Sequence, residues 1–299
     1  MSHQIMSLKL KTLFEKNQKK MMILPILMIV VSFIFLITTY TQTGDLIDKD
    51  VSLSGGMTLT LYTEQTIDQV KLENSLKQDF SEISIRKLSE FGTNKEIGVV
   101  IETPEINEES IKLRITEATG IILTEENLSI EVVGSSLGDS FYSQMMKALI
   151  FAFIFMSLTI FITFRKIVPS LAVVIVALGD LTITLSILNL MGMKLSSAGI
   201  AALLLLVGYS IDTDVLLTTR VLKNREGTIW EGVLSSMKTG LTMTITTISA
   251  LGAAYLVSTS LVLKQMFAII IIGLLIDVIL TYMLNAPMLS LYAKKEGGK

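Results

Sequence analysis

Hydrophobic residues in this chain gather into six long runs, at 21–40, 144–164, 167–190, 196–219, 239–258 and 262–292. A helix needs about 20 apolar residues to cross a bilayer, and each run is long enough. Between the first and second runs the rhythm changes. Met57, Leu59 and Leu61 alternate with threonines after Gly55-Gly56, which predicts a strand. Thr66-Ile67-Asp68-Gln69 reads as a capping box opening a helix with Ile67, Val70, Leu76 and Phe80 on one face. Strands are predicted at 83–88 and 96–102. Asn107 caps a second helix carrying Ile111, Leu113 and Ile115, and Gly120 stops it. A last strand covers 128–133. The order β-α-β-β-α-β is the ferredoxin-like arrangement. The pattern therefore predicts an α-helical polytopic membrane protein: six transmembrane helices, with one external α+β ferredoxin-like domain between the first and second.

Charge sets the expected orientation. Lys9, Lys11, Lys16, Lys19 and Lys20 precede the first run, and Arg165 and Lys166 join the second to the third. Arg220, Lys223, Arg225 and Lys238 lie between the fourth and fifth, and Lys294, Lys295 and Lys299 end the chain. The two short loops on the opposite side hold only Lys194 and Lys264. The positive-inside rule then puts the tails 1–20 and 293–299 in the cytoplasm of a cell-membrane protein, with 41–143 extracellular or periplasmic. The run at 21–40 is longer than a signal-peptide core and lacks a small-residue cleavage site, so it is expected to stay as a span. The first twenty residues and Gly297-Gly298 are expected to be mobile.

Composition agrees and excludes several chemistries. Of 299 residues 51% are hydrophobic and 17% charged, with a mean hydropathy of +0.62. There is no Cys, and His3 is the one His, so thiolate or imidazole catalysis and metal clusters built on them are excluded; no metal and no cofactor are expected. The net charge of −2 hides a segment, 41–140, with 19 acids against 8 bases. A basic nucleic-acid footprint is missing, so no nucleic-acid partner is expected. The carboxylates of the external segment form no catalytic cluster and read as a solvated surface.

The candidate chemistry lies within the spans. Asp180, Asp212, Asp214 and Asp277 interrupt apolar runs with no base at their depth. An intramembrane acid costs about 2.5–3.5 kcal/mol on insertion scales and usually faces a bundle interior or water path. Four of them suggest a site that takes up and releases a proton or cation. Gly179 beside Asp180 lets a neighbouring helix approach. Asp212 and Asp214, two residues apart, point to different faces of one helix. Of the four, Asp212 is the foremost expected relay residue, and Asp214 is a candidate partner of Arg220. The hydroxyls of Thr239, Thr242, Thr244, Thr246, Thr247 and Ser249 are read as helix-to-helix bonding.

Several stretches resemble the SecD/SecF family of the resistance-nodulation-division (RND) superfamily, on its SecF side. Ser52-Leu53-Ser54-Gly55-Gly56 is similar to the family's Asp-Phe-x-Gly-Gly, with Ser52 in the Asp position. Gly134-Ser135-Ser136-Leu137-Gly138 is similar to its Gly-Pro-x-x-Gly, with Ser135 in place of Pro. Gly208-Tyr209-Ser210-Ile211 matches the fourth-span signature, Arg220 its Arg and Ala286-Pro287 its Ala-Pro. Asp212 stands where bacterial SecF has Asn and where SecD has its acid; Thr213 takes the bacterial Asp position and Asp277 that of a Gly. This pattern resembles the archaeal branch. The resemblance implies an auxiliary subunit of protein export, not an enzyme. It implies work with SecD at the SecYE translocon, moving a translocating preprotein by proton or sodium motive force, embedded in membrane lipid. Asp212, Asp180, Asp214 and Asp277 are relay candidates by their place in the spans; Arg220 reads on its own as a positive-inside anchor, and the resemblance implies that it tunes the relay. Two rival classes stay open. An intramembrane aspartyl protease would pair Asp180 with Asp212, although Ala177-Leu178-Gly179-Asp180 lacks the first Gly of the protease motif. One half of an RND-type lipid or small-molecule exporter would have this topology with a partner half.

Overall fold

A computed structural model describes residues 2–63, 65–89, 96–222, 228–258 and 260–297. Lys223, Arg225, Lys299 and Gly298 lie outside the described residues. Six helices are long and apolar enough to span a membrane. They are α1 (Ser2–Thr43), α5 (Ser135–Phe164), α6 (Ile167–Leu190), α7 (Ser197–Leu222), α8 (Ile229–Val257), and a last span made of α9 (Leu261–Leu280), a π-helical turn (Thr281–Asn285) and α10 (Ala286–Gly297). The turn has a sequence cause. Pro287 has no N–H to give the carbonyl of Met283, so the helix widens there.

Several helices run beyond their apolar runs, because a formed helix continues through polar residues while its caps and packing allow. The expected mobile tail up to residue 20 is helix instead: Phe14 is buried against Trp230, ring centroids 5.3 Å apart, and anchors it. Pro25 therefore falls inside α1. Gly297 closes α10. A capping box starts α8 ten residues before the predicted span at 239: Thr228 accepts from Glu231 N, and Glu231 accepts from Thr228 N.

Between α1 and α5 come α2 (Val51–Ser54), β1 (Gly56–Tyr62), α3 (Gln69–Leu76), β2 (Ser84–Ser89), β3 (Glu96–Thr103), α4 (Glu108–Thr119) and β4 (Leu128–Val133). The sheet order is β2-β3-β1-β4 with every neighbour antiparallel, the ferredoxin-like order. Leu59 faces Ile101 on one side and Ile130 on the other. One sheet face, with Met57, Leu59, Leu61, Val99 and Ile101, packs against Leu72 and Leu76 of α3 and Ile111 and Ile115 of α4. Asn107 caps α4 through Ser110 N, and Gly120 ends it in a left-handed conformation, as predicted. The cap of α3 differs: Asp68, not Thr66, accepts from Val70 and Lys71 N. An aspartate next to the helix start reaches both amides, which leaves the earlier threonine outside.

A tight junction seats this domain on the bundle. Gly55 has φ +78°, and a Cβ on Gly138 would lie 2.7 Å from Gly55 N. Only glycine permits that approach. Gly56 also has positive φ, and Gly134 is the N-cap of α5, so all four motif glycines meet at this corner. Ser52 accepts from Ser197 N (2.9 Å), fixing α2 to the start of α7.

Candidate intramembrane carboxylate site

The bundle interior is formed by α6, α7 and the last span, with α1, α5 and α8 outside them. Two apolar clusters flank the interior. One holds Val173, Ala177, Leu206 and Leu274, the other Val176, Ile183, Ile276 and Leu280. Between them lie three of the four predicted acids: Asp180 on α6 (1% exposed), Asp214 on α7 (0%) and Asp277 on α9 (0%). Gly179 allows the crowding, since a Cβ there would lie 2.8 Å from Ile29 of α1.

Hydroxyls and one amide join the acids in a string. Ser210 donates to Asp180 Oδ2. Asp180 and Asp277 are close enough for each carboxyl to feel the other's charge. Thr213 donates to Asp277 Oδ2 (3.0 Å). Thr281 Oγ1 stands 3.1 Å from Asp214 Oδ1 and 3.3 Å from Asp277 Oδ1. Asn285 Nδ2 donates to Asp214 Oδ1 (2.7 Å), so the widened turn brings both Thr281 and Asn285 onto the same carboxyl.

This pattern has a chemical consequence. Two carboxylates accept only; they can hydrogen-bond to each other when one carries a proton. Thr281 has one hydroxyl hydrogen and two carboxyl neighbours, so its second contact is a hydrogen bond when a carboxyl donates. A proton on one carboxyl would let every contact of the string be a hydrogen bond. Among the described residues, no three His, Cys, Asp or Glu side chains converge as ligands of one metal ion.

The other predicted residues are placed elsewhere. Asp212, foremost in the sequence, is exposed on the opposite face of α7 with no hydrogen bond to the string. Register explains this: Ser210 and Asp214 are four apart and share the buried face, while Gly208 and Asp212 share the open one. Tyr209 is 41% exposed beside them. The Asp180–Asp212 pair of a protease is not assembled. Arg220 does not reach Asp214 either. It donates to Ser235 O (2.5 Å), Ser235 Oγ (2.7 Å) and Thr239 Oγ1 (2.9 Å), tying the end of α7 to α8. Sequence reasoning missed Thr213, Thr281 and Asn285. The spacing Asp277, Thr281, Asn285, each four apart in an apolar helix, was the signal that could have found two of them.

Six spans divided one and five around a ferredoxin-like domain, with motif glycines at the junction, define a class. Residues 115–295 match the family model "Protein export membrane protein SecD/SecF, C-terminal". The chain belongs to the SecD/SecF family. Among curated proteins it is similar to the protein-export membrane protein SecF of Pyrococcus furiosus, 35% identical over 97% of this chain and 96% of that one. It is also similar to SecF of Methanothermobacter thermautotrophicus, 39% identical over 82% and 84%. Among solved structures it resembles SecDF, a translocon-associated membrane protein from Thermus thermophilus, with TM-score 0.73 and 21% identity. That likeness covers 95% of this chain and 38% of SecDF, and it concerns the fold.

Proposed function

We propose that this chain is a SecF-type subunit of protein export, working with SecD beside the SecYE translocon to move preprotein by proton motive force. It acts as a transporter, without catalysis or cofactor. In this reading 1–20 and 293–299 are cytoplasmic, the spans 21–40, 144–164, 167–190, 196–219, 239–258 and 262–292 cross the cell membrane, and 41–143 is the external domain. The names of its relatives support the export role, and the excess of bases at one end of the spans supports the orientation.

The observation that supports the coupling is the single hydroxyl of Thr281 between Asp277 and Asp214, a contact that a proton on either carboxyl would complete. Asp180, Asp277 and Asp214 form the relay in this reading, while Arg220 and Asp212 act at its edges. A charge moved through 100 mV supplies about 2.3 kcal/mol. Coupling needs two conformations that differ in the surroundings of these acids, so that loading and release favour different ones.

The open face of α7 and α8 supports SecD as partner. Asp212 is exposed there at a depth where lipid is a poor neighbour for an acid. A Cβ on Gly208 or Gly252 would meet nothing within 4 Å, leaving room for a closely packed helix. The test is export of a secreted reporter at equal membrane levels of each variant. Asp180→Asn, Asp214→Asn and Asp277→Asn are each expected to cut export strongly. Normal export in all three would remove the relay. Gly208→Trp is expected to abolish co-purification with SecD, and retained co-purification would move the interface elsewhere.

A further inference from the structure

Most span hydroxyls in this chain are satisfied by their own helix. On α6, Thr182 donates to Leu178 O (3.0 Å) and Ser186 to Thr182 O (2.8 Å). Thr184, like Ser290 of α10, departs from that habit. It is 0% exposed, and its Oγ1 has no hydrogen-bond partner. Thr184 lies one turn from Asp180 on the same face of α6, and Asp180 Oδ1 is also buried without a partner. Buried oxygens of this kind are nearly always engaged by protein or by water. Asp214 Oδ2 and Asn285 Oδ1 are unpartnered at the other end of the string; at the Asp180 end, two unpartnered oxygens one helical turn apart point to a ligand that bonds both.

We infer that Thr184 is the port through which protons pass between the carboxylate string and the side of the membrane that carries the α+β domain, its hydroxyl relaying between water and Asp180 Oδ1. This inference rests on the reading of the acids as a proton relay. The step balances: the hydroxyl oxygen accepts a proton from a hydronium ion as its own hydrogen passes to Asp180 Oδ1. The hydronium ion becomes water, the hydroxyl is restored, and the carboxylate becomes a carboxylic acid.

Register supports the direction. Thr184 is six residues, about 9 Å, from the end of α6 at Leu190, and Asp180 is about 15 Å from it. Beyond that end opens a cleft of about 690 Å³, lined by Lys194 and Ser197 below and by Arg86 and Glu102 of the sheet above. Leu188, one turn past Thr184, is buried in the cluster that holds Ile200 and Leu203. In this conformation the port is therefore shut by an apolar plug, as alternating access requires of one side. The groups that face the string are few. Tyr282 lies near enough to Asp277 and Asp214 to feel their charge, and its hydroxyl meets Ser236 O (3.4 Å). Arg220 is engaged with Ser235 and Thr239.

The test is infrared hydrogen–deuterium exchange on the purified full chain in lipid nanodiscs, following the carboxylic-acid carbonyl band that Asp180→Asn or Asp277→Asn removes. Thr184→Val keeps the shape and removes the hydroxyl. It is expected to slow exchange of that band about tenfold, the factor that corresponds to one lost hydrogen bond. Thr184→Ser is expected to restore the rate. Unchanged exchange in Thr184→Val, or equal slowing in Thr184→Ser, overturns the port and leaves the relay standing. A wild-type chain with no such carboxylic-acid band overturns both.

Discussion

The α+β domain and the membrane bundle are built on opposite plans. In the domain, the apolar side chains of Met57, Leu59 and Ile101 are fully buried, and charges such as Asp79 and Arg114 pair on the surface (2.6 Å). In the bundle, Ile154 and Phe155 face outward while Asp180, Asp214 and Asp277 are sealed inside. One chain obeys both plans because its two regions meet different solvents. Water rewards burial of the domain's leucines. Lipid offers no such reward, so bundle contacts rest on close packing and on hydrogen bonds. The difference predicts where each region breaks.

The largest effect is expected from a core truncation in the domain. Ile101→Ala removes buried methyl groups between β1 and α4 and is expected to cost about 2–5 kcal/mol. Phe155→Ala, on the outward face of α5, is expected to change stability by less than about 0.5 kcal/mol. Denaturant titration of both variants in the same detergent checks the contrast. Equal losses would mean that the outer face of α5 is packed as tightly as the domain core.

Next comes the bundle's own core, where stability and function are expected to separate. Thr213 and Thr281 meet different oxygens of Asp277, so Asp277→Asn keeps an acceptor for one of them and offers the other an N–H donor. Its stability is expected to fall by only about 1 kcal/mol, one hydrogen bond's net contribution, while export falls strongly. A melt paired with the export assay distinguishes this from simple unfolding.

The same contrast explains what was legible in the sequence. Apolar runs announce spans directly, and alternation of Met57, Leu59 and Leu61 announced the strand, so the architecture could be read without coordinates. Asn107 and Gly120 carried local signals that tertiary contacts did not override. The inward face of α7 was not legible, because Leu, Val and Ile occupy both of its faces and periodicity gives no preference. The sequence alone ranks Asp212 ahead of Asp214, and only the neighbouring helices reverse that order by burying Asp214. Thr281 and Asn285 were hidden for another reason: their role depends on a turn widened by Pro287 and on an acid 67 to 71 residues away.

Where the two regions meet, Glu102 tests how firmly they are joined. It is 5% exposed, accepts from Arg86 of its own sheet and from Lys194 of the α6–α7 connection (3.5 Å). Glu102→Gln removes the carboxylate that both Arg86 and Lys194 contact, leaving Asp50 as the acid near both. The expected loss is about 1–3 kcal/mol, together with faster proteolysis in the segment joining β4 to α5. If proteolysis is unchanged, the glycine corner alone holds the domain.

The smallest expected effect is a pH dependence at the same seam. Asp50 caps α2 by accepting from Ser52 N (2.8 Å) and Ser52 Oγ (2.6 Å), yet its carboxyl is held above the ordinary 3.8 because burial outweighs those bonds and the charges of Arg86 and Lys194. A raised carboxyl value means that the folded state binds more protons than the unfolded one in the window just above 3.8. Stability from this group is therefore complete below that window and declines as pH climbs through it. Asp50→Asn keeps a capping oxygen and cannot ionise, so its melting temperature is expected to lose this part of the slope. The domain's exposed acids slope the other way: Asp79 is lowered by its bond to Arg114, and its contribution is lost as pH falls. The difference between wild type and Asp50→Asn across an acid titration isolates the seam from the surface. A difference that stays flat would mean that Asp50 is as well solvated in the fold as in the open chain.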